Sequence, residues 1–114
     1  MTEDWEKCVK CGFCRACCPV FKVNLTEVDS PRGKAILAQK DILSPLFYDC
    51  TLCKACKEFC PLKLDIDASK IREKLVKQGI TTERNEKMIQ NLREFGNPFG
   101  KVEEGKKPKD LYCC

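Results

Sequence analysis

The 114-residue sequence contains no histidine, so the commonest general base of enzymes is absent. It also lacks the glycine-rich fingerprint of dinucleotide-binding folds and the Walker loop that cradles nucleotide phosphates. The sequence therefore predicts a chain that is not catalytic in isolation.

Long apolar segments are absent as well. No stretch approaches the length of a transmembrane helix. The first seven residues, MTEDWEK, are acidic and lack the apolar core of a signal peptide. We therefore expect a cytoplasmic protein with no membrane span of its own, whose membrane association, if any, comes through a partner.

Sustained alternation of apolar and polar residues, the signature of a half-buried strand, is also missing. Residues 20–25 are the one strand candidate, and we expect them to form an extended or turn segment. The sequence thus predicts an all-α fold.

Cysteine is the residue that the sequence has in excess, with eleven copies. An odd number in a chain without a signal peptide indicates metal ligands more than a disulfide framework. Eight of the eleven form one pattern, C-x2-C-x2-C-x3-C-P, written twice. The first copy is Cys8, Cys11, Cys14 and Cys18 followed by Pro19, and the second is Cys50, Cys53, Cys56 and Cys60 followed by Pro61.

This spacing is typical of [4Fe–4S] cluster binding, in which three close thiolates bind one cluster and the fourth binds the other. The pattern predicts two clusters. The first would be held by Cys8, Cys11, Cys14 and Cys60, and the second by Cys50, Cys53, Cys56 and Cys18. With every iron held by protein, both clusters would relay electrons and bind no substrate.

Two alternatives remain open at this point. Cys17 lies two residues beyond Cys14 and continues the x2 series, so it competes with Cys18, which keeps the proline and the x3 spacing. Soft thiolates also bind zinc, although zinc sites usually show paired C-x2-C knuckles with four ligands for each ion.

The formal charge of +4 does not indicate a nucleic-acid partner. Two clusters with their thiolates add roughly −4, which leaves the loaded protein near neutral. Lys10, Arg15, Lys54 and Lys57 lie inside the motifs. They either favour cluster reduction or are simply solvated. Few apolar residues remain besides cysteine, so we expect the metal-free chain to be largely unfolded.

Capping signals predict three further helices. Ser30 and Pro31 begin one that runs to about Ile42, with Ile36, Leu37 and the stem of Lys40 on its packed side.

A second helix begins at Asp65 or Asp67, runs to about Gln78 before Gly79, and packs through Ile71 and Leu75 with Val76 beside them. A third begins at Thr81 or Thr82 and stops at Gly96. We expect a domain at residues 1–80, a helix at 81–96 packing on it, and a polar, flexible tail at 97–114 that ends in Cys113 and Cys114.

The doubled motif, the Ser-Pro-Arg-Gly-Lys segment at residues 30–34 and the stretch around Cys50–Pro61 resemble the α-helical ferredoxin family over residues 6–100. In heterodisulfide reductase, that domain forms the C subunit and the ferredoxin half of the D subunit. It also occurs in iron–sulfur subunits of glycolate, lactate and glycerol-3-phosphate oxidoreductases. Residues 91–100 also look like the linker that precedes CCG domains in longer relatives.

The resemblance implies an electron-transfer subunit of a heterodisulfide-reductase-like complex. Its partners would be a catalytic subunit with a CCG-type or flavin domain and a redox donor or acceptor protein. A freely diffusing ferredoxin with two [4Fe–4S] clusters and a zinc-stapled interaction module are the alternatives.

Overall fold

The computed structural model describes residues 3–108, and these contain helices and turns but no strand, which confirms the all-α prediction. The α-helices within them are α1 (Pro19–Asn24), α2 (Pro31–Gln39), α3 (Ala55–Phe59), α4 (Ala68–Lys77) and α5 (Glu83–Phe95). Short 3₁₀ helices cover Asp4–Lys7, Phe13–Cys17, Glu27–Asp29 and Pro45–Asp49. The predicted terminal pair, Cys113 and Cys114, lies outside the described residues.

The chain forms two compact units, Met1–Ile80 and Thr81–Cys114. The second unit contains α5, whose end is tied to the following turn by the Asn91 side chain, which donates to the Pro98 carbonyl at 3.0 Å. The packing of a helix at 81–96 on the first domain, and the flexible tail after it, stay predictions.

The first unit repeats one structural pattern with an offset of 42 residues, which relates Cys8 to Cys50. In each copy a 3₁₀ helix leads into the cysteine loop, and a five-residue helix follows, at Phe13–Cys17 in the first copy and Ala55–Phe59 in the second. Trp5 and Phe47 hold matching positions and are both buried. The doubled cysteine motif is therefore part of a doubled fold.

In each copy, one side chain from the longer helix that follows donates hydrogen bonds to three backbone carbonyls. The Gln39 amide, at the end of α2, donates to the carbonyls of Trp5, Glu6 and Cys8 at 2.8, 3.3 and 3.2 Å. Arg72, on α4, donates to the three matching carbonyls of the second copy, those of Phe47, Tyr48 and Cys50. Both side chains donate to carbonyls where a 3₁₀ helix ends and backbone donors become few, and the Trp5 carbonyl also accepts from the Cys8 N–H at 3.2 Å.

The apolar core of the first unit is small. It consists of the buried residues Trp5, Ala35, Ala38, Phe47, Ile71 and Leu75. This core lies between α2, α4 and the two 3₁₀ helices that lead into the cysteine loops. So little apolar packing suits a fold that needs further cross-links.

The predicted helix starts are confirmed. The Ser30 hydroxyl accepts from the Gly33 backbone N–H at 3.0 Å, and Pro31 takes the first position of α2. Asp67 caps α4 and Thr82 caps α5 in the same way.

The predicted ends of α4 and α5 hold as well. Gly79 and Gly96 follow these helices with φ values of 76° and 73°, which favour glycine.

The expectation of an extended or turn segment at residues 20–25 is wrong, because α1 covers most of it. The Cys18 sulfur accepts from the Phe21 N–H at 3.5 Å and takes the role of a helix cap, and Pro19 supplies the first helical φ angle. The Cys-Pro pair that ends the first motif therefore starts a helix.

The packed side of α2 also differs from the prediction. The helix ends at Gln39, and its buried residues are Pro31, Gly33, Lys34, Ala35 and Ala38. Leu37 is half-buried and packs against the core as predicted, whereas Ile36 is half-buried and Lys40 is exposed. On α4, Ile71 and Leu75 are buried as expected, whereas Val76 is 56% exposed.

Gly33 allows the backbone of α2 to approach the preceding 3₁₀ helix. A Cβ atom at this position would lie 2.0 Å from the Glu27 carbonyl oxygen. A backbone oxygen within a short helix cannot swing aside as a side chain can, so only glycine fits.

We expect Gly33→Ala to lower the free energy of unfolding by about 3 kcal/mol through this overlap. Gly79→Ala is the control, because a Cβ there meets no atom within 4 Å and only the left-handed backbone cost of about 1 kcal/mol applies. Thermal melts of the loaded protein, followed by circular dichroism, measure both. Equal shifts for the two variants would contradict the assignment.

Candidate metal centre

The two cysteine loops follow the same backbone path. In the first, Lys10 and Gly12 have φ values of 63° and 83°. In the second, the matching residues Leu52 and Lys54 have φ values of 59° and 61°. Left-handed residues on both sides of the second cysteine turn each loop tightly, and the glycine at position 12 adopts this conformation without strain.

The first loop borders a cavity of about 320 Å³. Cys8, Cys11 and Cys14 line it from the first loop, and Cys60 lines it from the end of the second motif. These are the four residues that the sequence assigns to the first cluster.

A second, smaller cavity of about 40 Å³ lies against the other loop. Its sulfur-bearing lining consists of Cys50, Cys53 and Cys56 together with Cys18 from the first motif. The first cavity therefore combines three cysteines of the first copy with Cys56 and Cys60 of the second, and the second cavity combines three cysteines of the second copy with Cys18 of the first. Cys56 lines both cavities, so the two are neighbours.

Cys17, the competing ligand candidate, is absent from the lining of both cavities. Its thiol instead donates to the Cys14 carbonyl at 3.1 Å. Burial raises the pKa of the Cys17 thiol.

The first turn of α2 reaches both cavities. Arg32 lines the first cavity and Lys34 lines the second. Side chains two positions apart on a helix point about 200° apart, so one turn can serve two sites. The Arg32 guanidinium pairs with Glu27 at 2.6 Å.

Residues 4–64 match the 4Fe-4S dicluster domain family. The chain belongs to this family. The match spans both cysteine motifs and both cavities, which identifies the chain as an iron–sulfur electron-transfer domain.

Relatives of this dicluster domain are subunits of larger oxidoreductases. The C subunit of the H(2):CoB-CoM heterodisulfide,ferredoxin reductase of Methanothermobacter thermautotrophicus is 36% identical over 66 residues, which cover 56% of this chain and 36% of that protein. The glycolate oxidase iron-sulfur subunit of Escherichia coli is 34% identical over 62 residues, which cover 47% and 15%.

The C subunit of the ion-translocating oxidoreductase complex of Buchnera aphidicola is 30% identical over 88 residues, which cover 77% of this chain and 18% of that protein. The dicluster domain thus spans between about a seventh and a third of these relatives' lengths. No solved structure matches it. Within residues 3–108, no helix is long and apolar enough to cross a membrane.

Both cavities are lined by several cysteine thiols, the soft donors that iron–sulfur clusters take. Within residues 3–108, no three thiol or carboxylate groups converge closely enough to hold one metal ion. A zinc ion needs four such atoms about 2 Å from a single point. In a [4Fe–4S] cluster each thiolate binds a different iron, so the four ligands lie farther apart than the ligands of a single ion.

The charge of the second cavity also fits a cluster of the dicluster domain. Lys34 is only 3% exposed, and its ammonium group donates to the Asp29 carbonyl at 2.6 Å. Among residues 3–108 no carboxylate lies within 4 Å of it. A buried cation is costly unless anions face it: the buried Asp29 carboxyl lines the same cavity, and a thiolate-bound cluster would add a second anion.

Space differs between the two cavities. The first is open and large, whereas the 40 Å³ of the second exceeds only slightly the volume of about 30 Å³ that one water takes in the liquid. The thiols and the charge of the second cavity fit a cluster, and the space between them is much smaller than in the first cavity.

Burial governs the chemistry of the inner thiols. It raises the pKa of Cys14 and of Cys56 to about 11, with neighbouring thiols adding to the effect. Cys53, near the surface, has a lowered pKa because the Ala55 N–H donates to its sulfur. The inner thiols are therefore protonated at neutral pH, and a cluster that binds them displaces those protons.

Three of the four motif cations have carboxylate partners. Lys54 and Lys57 pair with Asp65 at 2.9 and 3.8 Å, and Arg15 pairs with Glu27 at 3.2 Å. They are thus neither simply solvated nor free to act as unopposed charges on a cluster. Besides Lys54, the cations that line the cavities are Arg32 and Lys34, which the sequence marked only as part of a helix start. The sequence signal for this role was that Arg32 and Lys34 lie two positions apart in the first turn of a helix between the two motifs.

We expect Lys34→Leu to weaken cluster retention at the second cavity several-fold, because it removes the buried cation while keeping the volume. Lys54→Gln is the control. Lys54 lines the same cavity, but its charge is exposed and paired with a carboxylate, so its removal should change cluster retention little. Bleaching of the visible absorption under a chelator, with iron counted in parallel, measures the difference. Equal bleaching rates for the two variants would argue against a role for Lys34.

Proposed function

We propose that this chain is an electron-transfer subunit of a heterodisulfide-reductase-like oxidoreductase complex and holds two [4Fe–4S] clusters. One cluster would be bound by Cys8, Cys11, Cys14 and Cys60, and the other by Cys50, Cys53, Cys56 and Cys18. When bound, such clusters accept and donate single electrons.

The observation that carries the proposal is the composition of the two cavities. Each is lined by one complete set of four cysteines, three from one loop and one from the other. Because Cys56 lines both, an electron passing between the sites would cross little more than one side chain. Cys18 lines the second cavity and Cys17 lines neither, which supports Cys18 as the fourth ligand.

The surface of the first cavity supports exchange of electrons with a partner protein. Val9, Phe13 and Leu62 line this cavity and are 68%, 64% and 53% exposed. The residues that the repeat relates to them are smaller: Thr51 and Ala55 in the second copy and Val20 in the first. Clustered, exposed apolar side chains mark protein-binding surfaces.

The proposed partner is a catalytic subunit with a CCG-type or flavin domain, and a redox protein supplies or removes electrons. The relatives that carry this domain are named as subunits of oxidoreductases, which supports membership of a complex. We place the chain in the cytoplasm, with membrane association only through a partner. The described cysteines are all free of disulfides, which supports a reducing compartment.

Substitution of single thiols tests the clusters and their ligands. We expect anaerobically purified protein to contain about eight irons for each chain. Cys17→Ser should retain this iron and the spectrum, because its thiol lines neither cavity, whereas Cys18→Ser should lose or alter one cluster. Iron analysis and electron paramagnetic resonance provide the measurement. Full retention in Cys18→Ser with loss in Cys17→Ser would reverse the assignment.

Purification of the tagged chain from its host tests the complex. We expect a subunit with a CCG-type or flavin domain to co-purify, and Phe13→Ala to reduce its yield several-fold by removing an exposed apolar contact. Val23→Ala is the control, because Val23 is 80% exposed and lines neither cavity. A monomer without a partner, active with several unrelated enzymes, would favour a freely diffusing ferredoxin.

A further inference from the structure

The two copies of the repeat are closed by different chemical groups at matching places. Gln39 donates to the carbonyls of residues 5, 6 and 8, and Arg72 donates to those of residues 47, 48 and 50. The last carbonyl of each set belongs to the first cysteine of its motif, Cys8 or Cys50. The same hydrogen-bonding task is therefore performed by a neutral amide in one copy and by a cation in the other.

The charge of Arg72 is not neutralised locally. Among residues 3–108 no carboxylate lies within 4 Å of its guanidinium, which is occupied by the three carbonyls and lies 5.9 Å from the centre of the Tyr48 ring. The residue is half-buried, so solvent screens its charge only in part.

The other charged groups at the two cavities come with opposite charges beside them. In the first cavity, Arg32 pairs with Glu27. In the second, Lys54 pairs with Asp65, while the buried Lys34 shares the lining with the buried Asp29. The contrast between Arg72 and Gln39 is thus the clearest uncompensated difference between the copies.

We propose that Arg72 raises the reduction potential of the cluster at the Cys50 loop, and that Gln39 leaves the cluster at the Cys8 loop without this contribution. The inference rests on the proposed binding of two clusters. An electron added to a cluster increases its negative charge, and a nearby cation stabilises that form. Two sites built on one pattern are in this way given different affinities for an electron.

Arg72→Gln tests the proposal with the residue that the first copy already uses. The amide nitrogen of glutamine takes the place of Arg72 Nε, which donates to the Phe47 carbonyl, so this bond is kept while the charge is removed. We expect the equilibrium constant for reduction of the cluster at the Cys50 loop to fall about tenfold, which corresponds to a potential lower by about 59 mV for a one-electron couple. The other cluster should be unchanged, and Arg72→Lys should retain most of the wild-type potential. Redox titration followed by electron paramagnetic resonance measures both clusters.

The reciprocal variant, Gln39→Arg, should raise the potential of the other cluster, and it keeps the proposal testable if Arg72→Gln fails to fold. Unchanged potentials in both variants, or equal shifts in Arg72→Gln and Arg72→Lys, would leave Arg72 a purely structural role and overturn the inference. Absence of two redox-active clusters in the wild-type protein would instead overturn the proposed function. The iron content of each sample separates these outcomes.

Discussion

The close approach of Gly33 to the Glu27 carbonyl sets the position of the α2 residues that line the two cavities. It brings the first turn of α2 against the preceding 3₁₀ helix, closer than any other residue type would allow. That turn in turn places Arg32 at one cavity and Lys34 at the other. A substitution that pushed α2 outward would therefore disturb both cavities, although Gly33 lines neither of them.

The second organising feature is the repeat. The two cysteine loops share their left-handed positions, their flanking short helices and the carbonyls that a following helix satisfies. Where the copies differ, they differ in properties that affect electron exchange: exposed apolar side chains surround one cavity, and a charged cap closes the other copy. A common scaffold thus supports two sites that are not equivalent.

Much of this structure was predictable because its signals are local. Ser30 with Pro31, Asp67, Thr82 and the glycines after α4 and α5 act through their own backbone neighbours. The three helices begin as predicted, and α4 and α5 also end as predicted. The α1 helix was missed because a cysteine at its start is not one of the usual capping residues.

The packed side of α2 was misjudged for a different reason. Its buried residues are small or charged, since the loops approach it closely, and apolar periodicity does not detect such a face. The cysteine spacing indicated the ligand candidates, but the positions of Arg32, Lys34 and Arg72 depend on contacts between distant segments. Those contacts leave no mark in any short stretch of sequence.

The exchange of one cysteine between the copies has a consequence for the origin of this architecture. A single 42-residue copy would supply only three cysteines to its own cavity, and its fourth cysteine would have no second cavity to line. Such a unit could complete a site only by pairing with a second molecule of its own kind, at a cost that depends on concentration. Joining the copies in one chain makes that pairing intramolecular, and the high effective concentration of each half removes the dependence.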